Sequence, residues 1–343
     1  MWLKAFLLLG ASPSRSPAVG SLLRGASPSR SPAEGSPVPA KPPTVAVTGL
    51  TGFVGRRLAI KLTAASIETR AIIRRSAAGL DARISPWVAA LDDVDALAGA
   101  LAGVDAVVHL AGTVRGARPR DFAAANSEAV THLCAAALRQ AKPPAMLLVS
   151  SLAATEPQLS DYAASKRAGE QALAAHPQID STVIRPPAVY GPGDREMTPL
   201  FRLMRRGWIL VPGNPAQKLS FLYVDDLADA ILCWLQAPRR FRGRQFSIDD
   251  GAEDGYDWPA IAAAAAGARK TRMLVIPTPL LQGAAKANVG LSRLLGRAPM
   301  LTPGKVRELG HGRWVGGGDD FAAATGWQPR HNLASGLELT FNG

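Results

Sequence analysis

Three residues whose side chains could together move a proton stand close in the sequence: Ser151, Tyr162 and Lys166. Tyr162 and Lys166 are four positions apart on a predicted helix, so their side chains face the same way. A phenol titrates at about pH 10, and a nearby ammonium favours its ionised form. Ser151 follows a predicted strand, where a hydroxyl can hold a substrate oxygen. The spacing therefore predicts that Tyr162 exchanges a proton with a substrate oxygen.

A glycine-rich turn joins the first predicted strand, Val45–Thr48, to the first predicted helix, Phe53–Ala65. Glycines at this place permit a tight turn, close approach of a pyrophosphate and close helix packing, while the helix start offers N–H groups to the anion. The pattern predicts a phosphate cradle for a dinucleotide. The residues that we expect to form it are Gly49, Gly52, Phe53, Val54 and Gly55.

Two arginines, Arg74 and Arg75, follow the second predicted strand, Ala71–Ile73. Dinucleotide sites that select NAD normally carry an acid here, which accepts hydrogen bonds from the ribose hydroxyls. A guanidinium cannot accept these bonds, whereas it pairs well with a 2′-phosphate. We therefore expect NADP as the preferred cofactor, with NAD as the alternative.

Apolar β-type runs alternate with helical stretches from Thr44 onwards, which predicts a parallel sheet covered by helices on both faces. Further strands are predicted over Ala106–Leu110, Met146–Ser150 and Thr182–Ile184, and further helices over Val94–Ala102, Ser127–Ala141 and Tyr162–Ala175. The fold class expected is α/β, a Rossmann-type doubly wound parallel sheet with a smaller C-terminal substrate lobe. Residues 44–190 would form the dinucleotide-binding core, and residues 191–343 a substrate-binding lobe interleaved with it.

Residues 1–43 are rich in Pro, Ser and Gly and contain the sequence GASPSRSPA twice, so we expect a disordered low-complexity tail. It has three interpretations: a mitochondrial-type presequence, a secretory signal, or an extension from an upstream start codon, which we favour. The tail supplies part of the net charge of +12, and no nucleic-acid-binding motif accompanies that charge.

Other features of the sequence limit the remaining classes of function. Cys134 and Cys233 are far apart and the histidines show no ligand spacing, so neither a disulfide framework nor a metal site is expected. No apolar run reaches the roughly 18 residues of a membrane-spanning helix. We expect a cytoplasmic protein that binds a small-molecule substrate, with no nucleic-acid partner and no stable membrane insertion, and that could form a homodimer.

Several short motifs follow the glycine turn in an order typical of one family. They are His109–Gly112, Asn126, Arg185–Pro192, Tyr223–Asp226 and Gly326–Pro329. On these motifs and on the Ser, Tyr and Lys residues above, the chain resembles the extended short-chain dehydrogenase/reductase family, which also contains the NAD-dependent epimerases and dehydratases. The resemblance covers roughly Thr44 to Pro329.

The resemblance implies a role for each matched residue. Tyr162 would be the acid/base, Lys166 would hold the nicotinamide ribose and lower the pKa of Tyr162, and Ser151 would orient the substrate carbonyl or hydroxyl. The proline-rich segment after Ile184 would lie beside the nicotinamide. Further cofactor contacts are implied for Leu110, Ala111, Gly112, Asn126 and Pro186.

The chain departs from the family pattern at positions that concern the cofactor and the substrate. Ala89–Ala90 replace a Gly-Asp pair, so a carboxylate contact to adenine is not expected there. Ala188 and Leu219 stand where many nucleotide-sugar members have Asn and Arg. A buried pyrophosphate needs compensating donors, so these losses argue against a nucleotide sugar, although Lys218 and Arg202 are nearby alternatives.

We therefore expect an NAD(P)-dependent oxidoreductase that interconverts a secondary alcohol and a ketone on a largely apolar substrate, of the hydroxysteroid-dehydrogenase or flavonoid-reductase type. The apolar stretches Met273–Pro277 and Pro279–Leu281 are expected to roof its pocket. Two alternatives stay open. One is an NAD(P)-dependent epimerase or dehydratase of a nucleotide sugar, and the other is a non-catalytic dinucleotide-binding accessory subunit.

Overall fold

A seven-stranded parallel sheet lies at the centre of the computed structural model, which describes residues 43–75, 79–296, 298–317 and 319–342. Apart from residue 43, the predicted tail lies outside the described residues. The strands are β1 (Val45–Thr48), β2 (Thr69–Ile73), β3 (Ile84–Val88), β4 (Ala106–His109), β5 (Ala145–Val149), β6 (Ser181–Arg185), β7 (Ala188–Tyr190), β8 (Trp208–Pro212), β9 (Lys218–Leu219), β10 (Phe221–Tyr223), β11 (Arg244–Ser247), β12 (Arg272–Ile276) and β13 (Arg313–Trp314).

Helices cover the sheet and build the rest of the molecule. They are α1 (Phe53–Ala64), α2 (Val94–Leu101), α3 (Pro119–Ala123), α4 (Ala129–Leu138), α5 (Asp161–Ala174), α6 (Thr198–Arg205), α7 (Val224–Leu235), α8 (Trp258–Ala266), α9 (Thr278–Leu294), α10 (Pro303–Gly310), α11 (Asp319–Thr325) and α12 (Leu333–Asn342). A π-helical turn over Ala124–Glu128 joins α3 to α4. No helix in the described ranges is both long and apolar enough to cross a membrane.

The strand order of the central sheet is β11-β6-β5-β4-β1-β2-β3, and the neighbouring strands are parallel. The order in which successive strands are added to the sheet reverses between β1 and β4. Thr48 of β1 is paired there with His109 of β4. In open α/β sheets, ligands bind beyond the carboxyl ends of the strands at such a reversal. The predicted Rossmann-type fold is confirmed, and it places the turn after β1 beside the loop after β4.

Alternation along the strands divides the sheet core into two apolar layers. Val45 and Val47 face the layer that α1 and α7 cover, whereas Ala46 and Val107 face the layer that α2 and α4 cover. Strands β1, β4 and β5 are buried along their whole length. Continuous burial of this kind is typical of parallel strands with helices on both faces.

A third apolar core lies in the C-terminal half of the chain. The ring of Tyr190 meets those of Phe201 and Phe221 edge to face, with ring centroids 5.7 and 6.2 Å apart. This half is interleaved with the first, because α7 and β11 return to the central sheet. The division of the chain at residue 190 stays a prediction.

Two strands of the central sheet escaped the sequence analysis, β3 and β11, and both lie at its edges. Most side chains of β3 are exposed and it contains Pro86, which an edge strand tolerates, so it lacks a buried apolar run. The predicted helix over Ser127–Ala141 begins earlier, because α3 and the π-helical turn precede α4. The other strands and helices predicted within residues 44–190 are present, with ends that differ by a few residues.

The anchoring of α7 on the sheet generates a stability prediction. Trp234 is fully buried, and its Nε1 donates to Thr182 Oγ1 at 2.9 Å. Trp234→Ala should lower the free energy of unfolding by about 3–5 kcal/mol, since it leaves a large cavity and removes the hydrogen bond that the Thr182 hydroxyl accepts. Denaturant unfolding followed by circular dichroism measures this loss. The control is Trp208→Ala at a tryptophan that is 44% exposed, where a change below about 1 kcal/mol is expected; equal losses would contradict the account.

Candidate active site

The turn after β1 is shaped to admit an anion. Gly49 has φ +74°, a conformation that side chains rarely adopt. Gly52 caps α1 without any side-chain hydrogen bond, and the first turn of α1 carries no acidic residue. The N–H groups at the helix start are therefore open to a phosphate. A Cβ at Gly55 would lie 2.3 Å from the Gly49 carbonyl oxygen, so only glycine lets the helix start this close to the turn.

The loop after β4 lies against this turn. A Cβ at Gly49 would be 2.7 Å from the Ala111 nitrogen. The Ala111 N–H donates to Thr48 Oγ1 at 3.2 Å, and Thr48 Oγ1 lies 2.7 Å from His109 Nδ1. Burial, aided by the charge of Lys166, lowers the pKa of His109 to about 3, so its ring is neutral. The structure thus brings the predicted Leu110–Gly112 segment to the glycine turn.

Asn126 holds the next part of that loop. Its Oδ1 accepts from the Thr113 N–H at 2.9 Å, and its Nδ2 donates to the Thr113 carbonyl at 3.0 Å and to Ser165 Oγ at 2.9 Å. A Cβ at Gly112 would lie 2.8 Å from Asn126 Oδ1 and 3.4 Å from Lys166 Nζ. The buried amide of Asn126 therefore fixes the loop at a short distance from the Lys166 ammonium.

Ser151, Tyr162 and Lys166 come together where β5 ends and α5 begins. Ser151 follows β5; its hydroxyl accepts from the Ala153 N–H at 3.2 Å and lies near enough to Tyr162 to lower the pKa of that phenol. Lys166 is buried one turn further along α5, where its Nζ donates to the Val149 carbonyl at 3.1 Å. The helix starts at Ser160, whose hydroxyl accepts from the Ala163 N–H. The predicted grouping of these three side chains is thus present in the structure.

The titration of Tyr162 differs from the expectation based on spacing. Burial raises the pKa of Tyr162 to about 12; the Ser151 hydrogen bond opposes this rise and the charge of Glu308 adds to it. The Lys166 ammonium donates to the Val149 carbonyl, and the expectation that Lys166 lowers the pKa of Tyr162 stays a prediction. Burial also lowers the pKa of Lys166 to about 8, although Glu170 opposes the shift. Tyr162 therefore keeps its proton at neutral pH.

The crevice fits a nicotinamide dinucleotide on structural grounds. The pyrophosphate would lie at the start of α1, where no side chain caps the N–H groups. Only glycines fit in the turn that leads to this helix start. Ser150 Oγ and His109 Nε2 are buried with no hydrogen-bond partner among the described residues, and both stand where a central strand ends. Unpaired buried polar atoms at the end of the sheet are typical of a site that a ligand completes.

The remaining predicted cofactor residues stand at the rim of the crevice. Arg74 and Arg75 are exposed on the bend that follows β2. Pro186 lies between β6 and β7, and its carbonyl accepts from the Leu152 N–H at 2.8 Å, which holds it beside the Ser151 segment. Phe53 and Val54 open α1. Contact of these side chains with the cofactor stays a prediction.

A cavity of about 300 Å³ opens above Tyr162. Its apolar lining includes Val114, Phe122, Val289 and Met300, and its polar lining includes Ser160, Asp161, Arg293, Lys305, Arg307 and Glu308. Glu308 is buried there between Ser160 Oγ, to which it is hydrogen-bonded, and Lys305 Nζ at 2.7 Å. The Lys305 ammonium also lies 5.9 Å from the centre of the Tyr162 ring. The pocket thus combines an apolar wall with a polar end at Tyr162.

The polar end of the cavity was not predicted from the sequence, and the segments expected to cover the pocket lie elsewhere. Among the described residues, neither Met273–Pro277 nor Pro279–Leu281 lines the cavity, whose outer wall comes from the second half of α9 and the start of α10. The only local signal was a helix start, Thr302 followed by Pro303, with a Lys305–Glu308 pair one turn apart. Nothing in that signal indicates that α10 packs against Tyr162.

Two comparisons with known sequences agree with the geometry. A model of the NAD dependent epimerase/dehydratase family matches residues 45–249. The ceramide reductase of Caulobacter vibrioides is 34% identical over 278 residues, which are 79% of this chain and 85% of that protein. The chain belongs to the NAD-dependent epimerase/dehydratase family. It is an NAD(P)-dependent oxidoreductase of the extended short-chain dehydrogenase/reductase type.

Solved structures share the fold at low sequence identity. The human epimerase family protein SDR39U1 with NADPH is 20% identical, with a TM-score of 0.66, over 88% of this chain and 98% of that one. A UDP-glucuronic acid 4-epimerase from Bacillus cereus, in complex with NAD and a fluorinated UDP-glucuronic acid, is 16% identical, with a TM-score of 0.66, over 87% and 98%. The fold therefore occurs with either cofactor in those proteins.

The glycine turn generates a binding prediction. Gly55→Ala places a methyl group against the Gly49 carbonyl, so the start of α1 must shift and the affinity for NADPH and NADH should fall at least about tenfold. Calorimetric titration with both cofactors measures the loss. The matched control is Gly283→Ala on α9, where nothing lies within 4 Å of the added carbon. Unchanged affinity in a folded Gly55 variant would refute the assignment of the phosphate site.

Proposed function

We propose that the protein reduces a ketone to a secondary alcohol, with Tyr162 as the proton donor. The observation that carries this proposal is the position of Tyr162 in the lining of the cavity, with Ser151 beside it and Lys166 one turn further along α5. A protonated phenol can donate to an oxygen on which negative charge develops. A reduced nicotinamide supplies the hydride when it is bound. The Ser151 hydroxyl beside Tyr162 would offer a second donor to the same oxygen.

The substrate class that the cavity supports is a lipid with a polar, ketone-bearing head. Ser160, Lys305 and Glu308 offer hydrogen-bonding groups beside Tyr162, whereas Val114, Phe122 and Val289 offer apolar contacts. The similarity to a ceramide reductase supports the same class. Ceramide-type lipids combine an amide and hydroxyl head with long apolar chains. We therefore expect an amphipathic substrate rather than a largely apolar one.

A nucleotide sugar is disfavoured by the neighbourhood of Leu219. Lys218, the nearest alternative cation, lies 3.5 Å from the Asp257 carboxylate and 3.7 Å from that of Asp254. Its charge is therefore already compensated, and Arg202 is exposed on α6. A buried pyrophosphate without donors loses its hydration at a high cost in free energy.

NADP is the cofactor that the exposed Arg74 and Arg75 favour, because a guanidinium pairs with the 2′-phosphate that NAD lacks. Both arginines follow β2, at the end of the strand where the adenosine ribose lies in Rossmann folds. The cytoplasmic location and a homodimer stay predictions.

Removal of the Tyr162 hydroxyl tests the proposed chemistry. Tyr162→Phe should lower the turnover of a long-chain keto-amide lipid in detergent micelles at least about 10²-fold, while the affinity for NADPH stays unchanged. NADPH absorbance follows the reaction. The control is Tyr256→Phe, whose hydroxyl is bonded to Asp250 and to the Leu333 N–H outside the cavity; it should keep its turnover. A fully active Tyr162 variant would remove this residue from the mechanism.

Exchange of the two arginines tests the cofactor preference. The double variant Arg74→Asp with Arg75→Ala should lose at least about tenfold in NADPH affinity, since charge-assisted hydrogen bonds to the phosphate are lost. NADH affinity should stay the same or rise. Arg240→Asp is the control, because this exposed arginine precedes β11 at the opposite edge of the sheet. Tighter binding of NADH than NADPH by the unaltered protein would overturn the preference.

A further inference from the structure

Several large apolar side chains are exposed in the C-terminal half of the chain, outside the lining of the catalytic cavity. Met273, Leu274 and Val275 on β12 are 44%, 53% and 43% exposed, and they point alternately to opposite faces of the strand. On and just after α9, the exposed leucines are Leu280 at 64%, Leu291 at 38%, Leu294 at 85% and Leu295 at 51%. We call these four leucines the apolar patch. Exposed leucines clustered on one helix are typical of a binding surface for a protein or a membrane.

Helix α9 presents its apolar residues on two faces. Leu281, Ala285 and Val289 are partly or fully buried against the protein. Leu280, Leu291 and Leu294 are separated by eleven and three residues, so they form one stripe on the outer face. By helix geometry, Lys286 and Arg293 lie on one side of this stripe, between it and the buried face, and both are exposed. An exposed apolar stripe bordered by cations is the pattern of helices that lie in a membrane interface.

The charge around the patch selects one kind of partner. Between Trp258 and Arg307 the sequence contains no Asp or Glu. The same stretch contains eight cations: Arg269, Lys270, Arg272, Lys286, Arg293, Arg297, Lys305 and Arg307. An anionic lipid bilayer complements this surface, because its acyl chains can contact the exposed leucines and its headgroups carry negative charge opposite the cations. Two copies of the chain would instead oppose like charges across the patch.

Helix α9 also forms part of the wall of the catalytic cavity. Its inner face contributes Val289 and Arg293 to the cavity that contains Tyr162, whereas Leu291 and Leu294 lie on its outer face. A bilayer at the outer face would therefore lie one helix away from the cavity.

We propose that the apolar patch docks on an anionic bilayer and delivers lipid substrate along α9 to the cavity. The docking stands on the patch and its charge alone, whereas the delivery rests on the proposed ketone reduction. Leu280, Leu291 and Leu294 enter the acyl boundary, and Lys286 and Arg293 pair with anionic headgroups. The protein remains peripheral, in keeping with the absence of a membrane-spanning helix in the described ranges.

Vesicle flotation of the full chain tests the docking. The protein should float with phosphatidylcholine vesicles that contain phosphatidylglycerol, and much less with phosphatidylcholine alone or at high salt. Leu280→Glu with Leu294→Glu should reduce binding at least about tenfold, and Lys286→Glu about fivefold. The matched control is Ile60→Glu with Leu339→Glu, two residues that are 60% and 43% exposed on other surfaces; it should bind normally.

Several results would overturn the docking. They are no binding to anionic vesicles, equal binding by the patch and control variants, or a concentration-dependent dimer that the patch variant abolishes. Turnover separates this proposal from the ketone chemistry. The patch variant should reduce a short-chain, water-soluble keto-amide normally and a vesicle-embedded one slowly. Vesicle binding without reduction of either ketone would leave the docking intact and refute the proposed function.

Discussion

The buried ammonium of Lys166 is the constraint around which the site is built. It is 8% exposed, and burial lowers its pKa to about 8, so its charge survives at neutral pH only with nearby compensation. The Val149 carbonyl supplies one hydrogen bond, and Glu170, one turn further along α5, supplies a negative charge. Glu170 is itself held by Arg185 at 2.6 Å. These contacts around the Lys166 ammonium therefore connect the end of β5, helix α5 and the end of β6.

The same constraint reaches the cofactor side of the crevice. A Cβ at Gly112 would crowd the Asn126 amide oxygen at 2.8 Å and would come into contact with the Lys166 ammonium at 3.4 Å. The π-helical turn presents Asn126 to this loop, and π-turns inside helices frequently occur at functional sites. Lys166 thus lies between this loop and the Val149 carbonyl, one turn of α5 from Tyr162.

The cofactor half of the site was predictable because its signals are local. The glycine turn, the Tyr162–Lys166 spacing and the alternation of strands and helices each span a few residues. The polar end of the cavity was not, because Glu308 meets Ser160 from 148 positions away. The edge strand β3 was not predictable, because it lacks a run of buried apolar residues. The raised pKa of Tyr162 was not predictable either, because its main cause is burial, which is a property of the packed chain.

The two rival functions differ from ketone reduction in the fate of the hydride. An epimerase or dehydratase returns it to the substrate, and an accessory subunit does not transfer it. The most direct test uses NADPH that carries deuterium at the transferable position of nicotinamide C4, with a long-chain keto-amide lipid as substrate. Ketone reduction predicts deuterium on the carbinol carbon of the product, with one cofactor oxidised for each alcohol formed. Conversion of a UDP-sugar with no net cofactor oxidation, and no label transfer to the lipid, would contradict it.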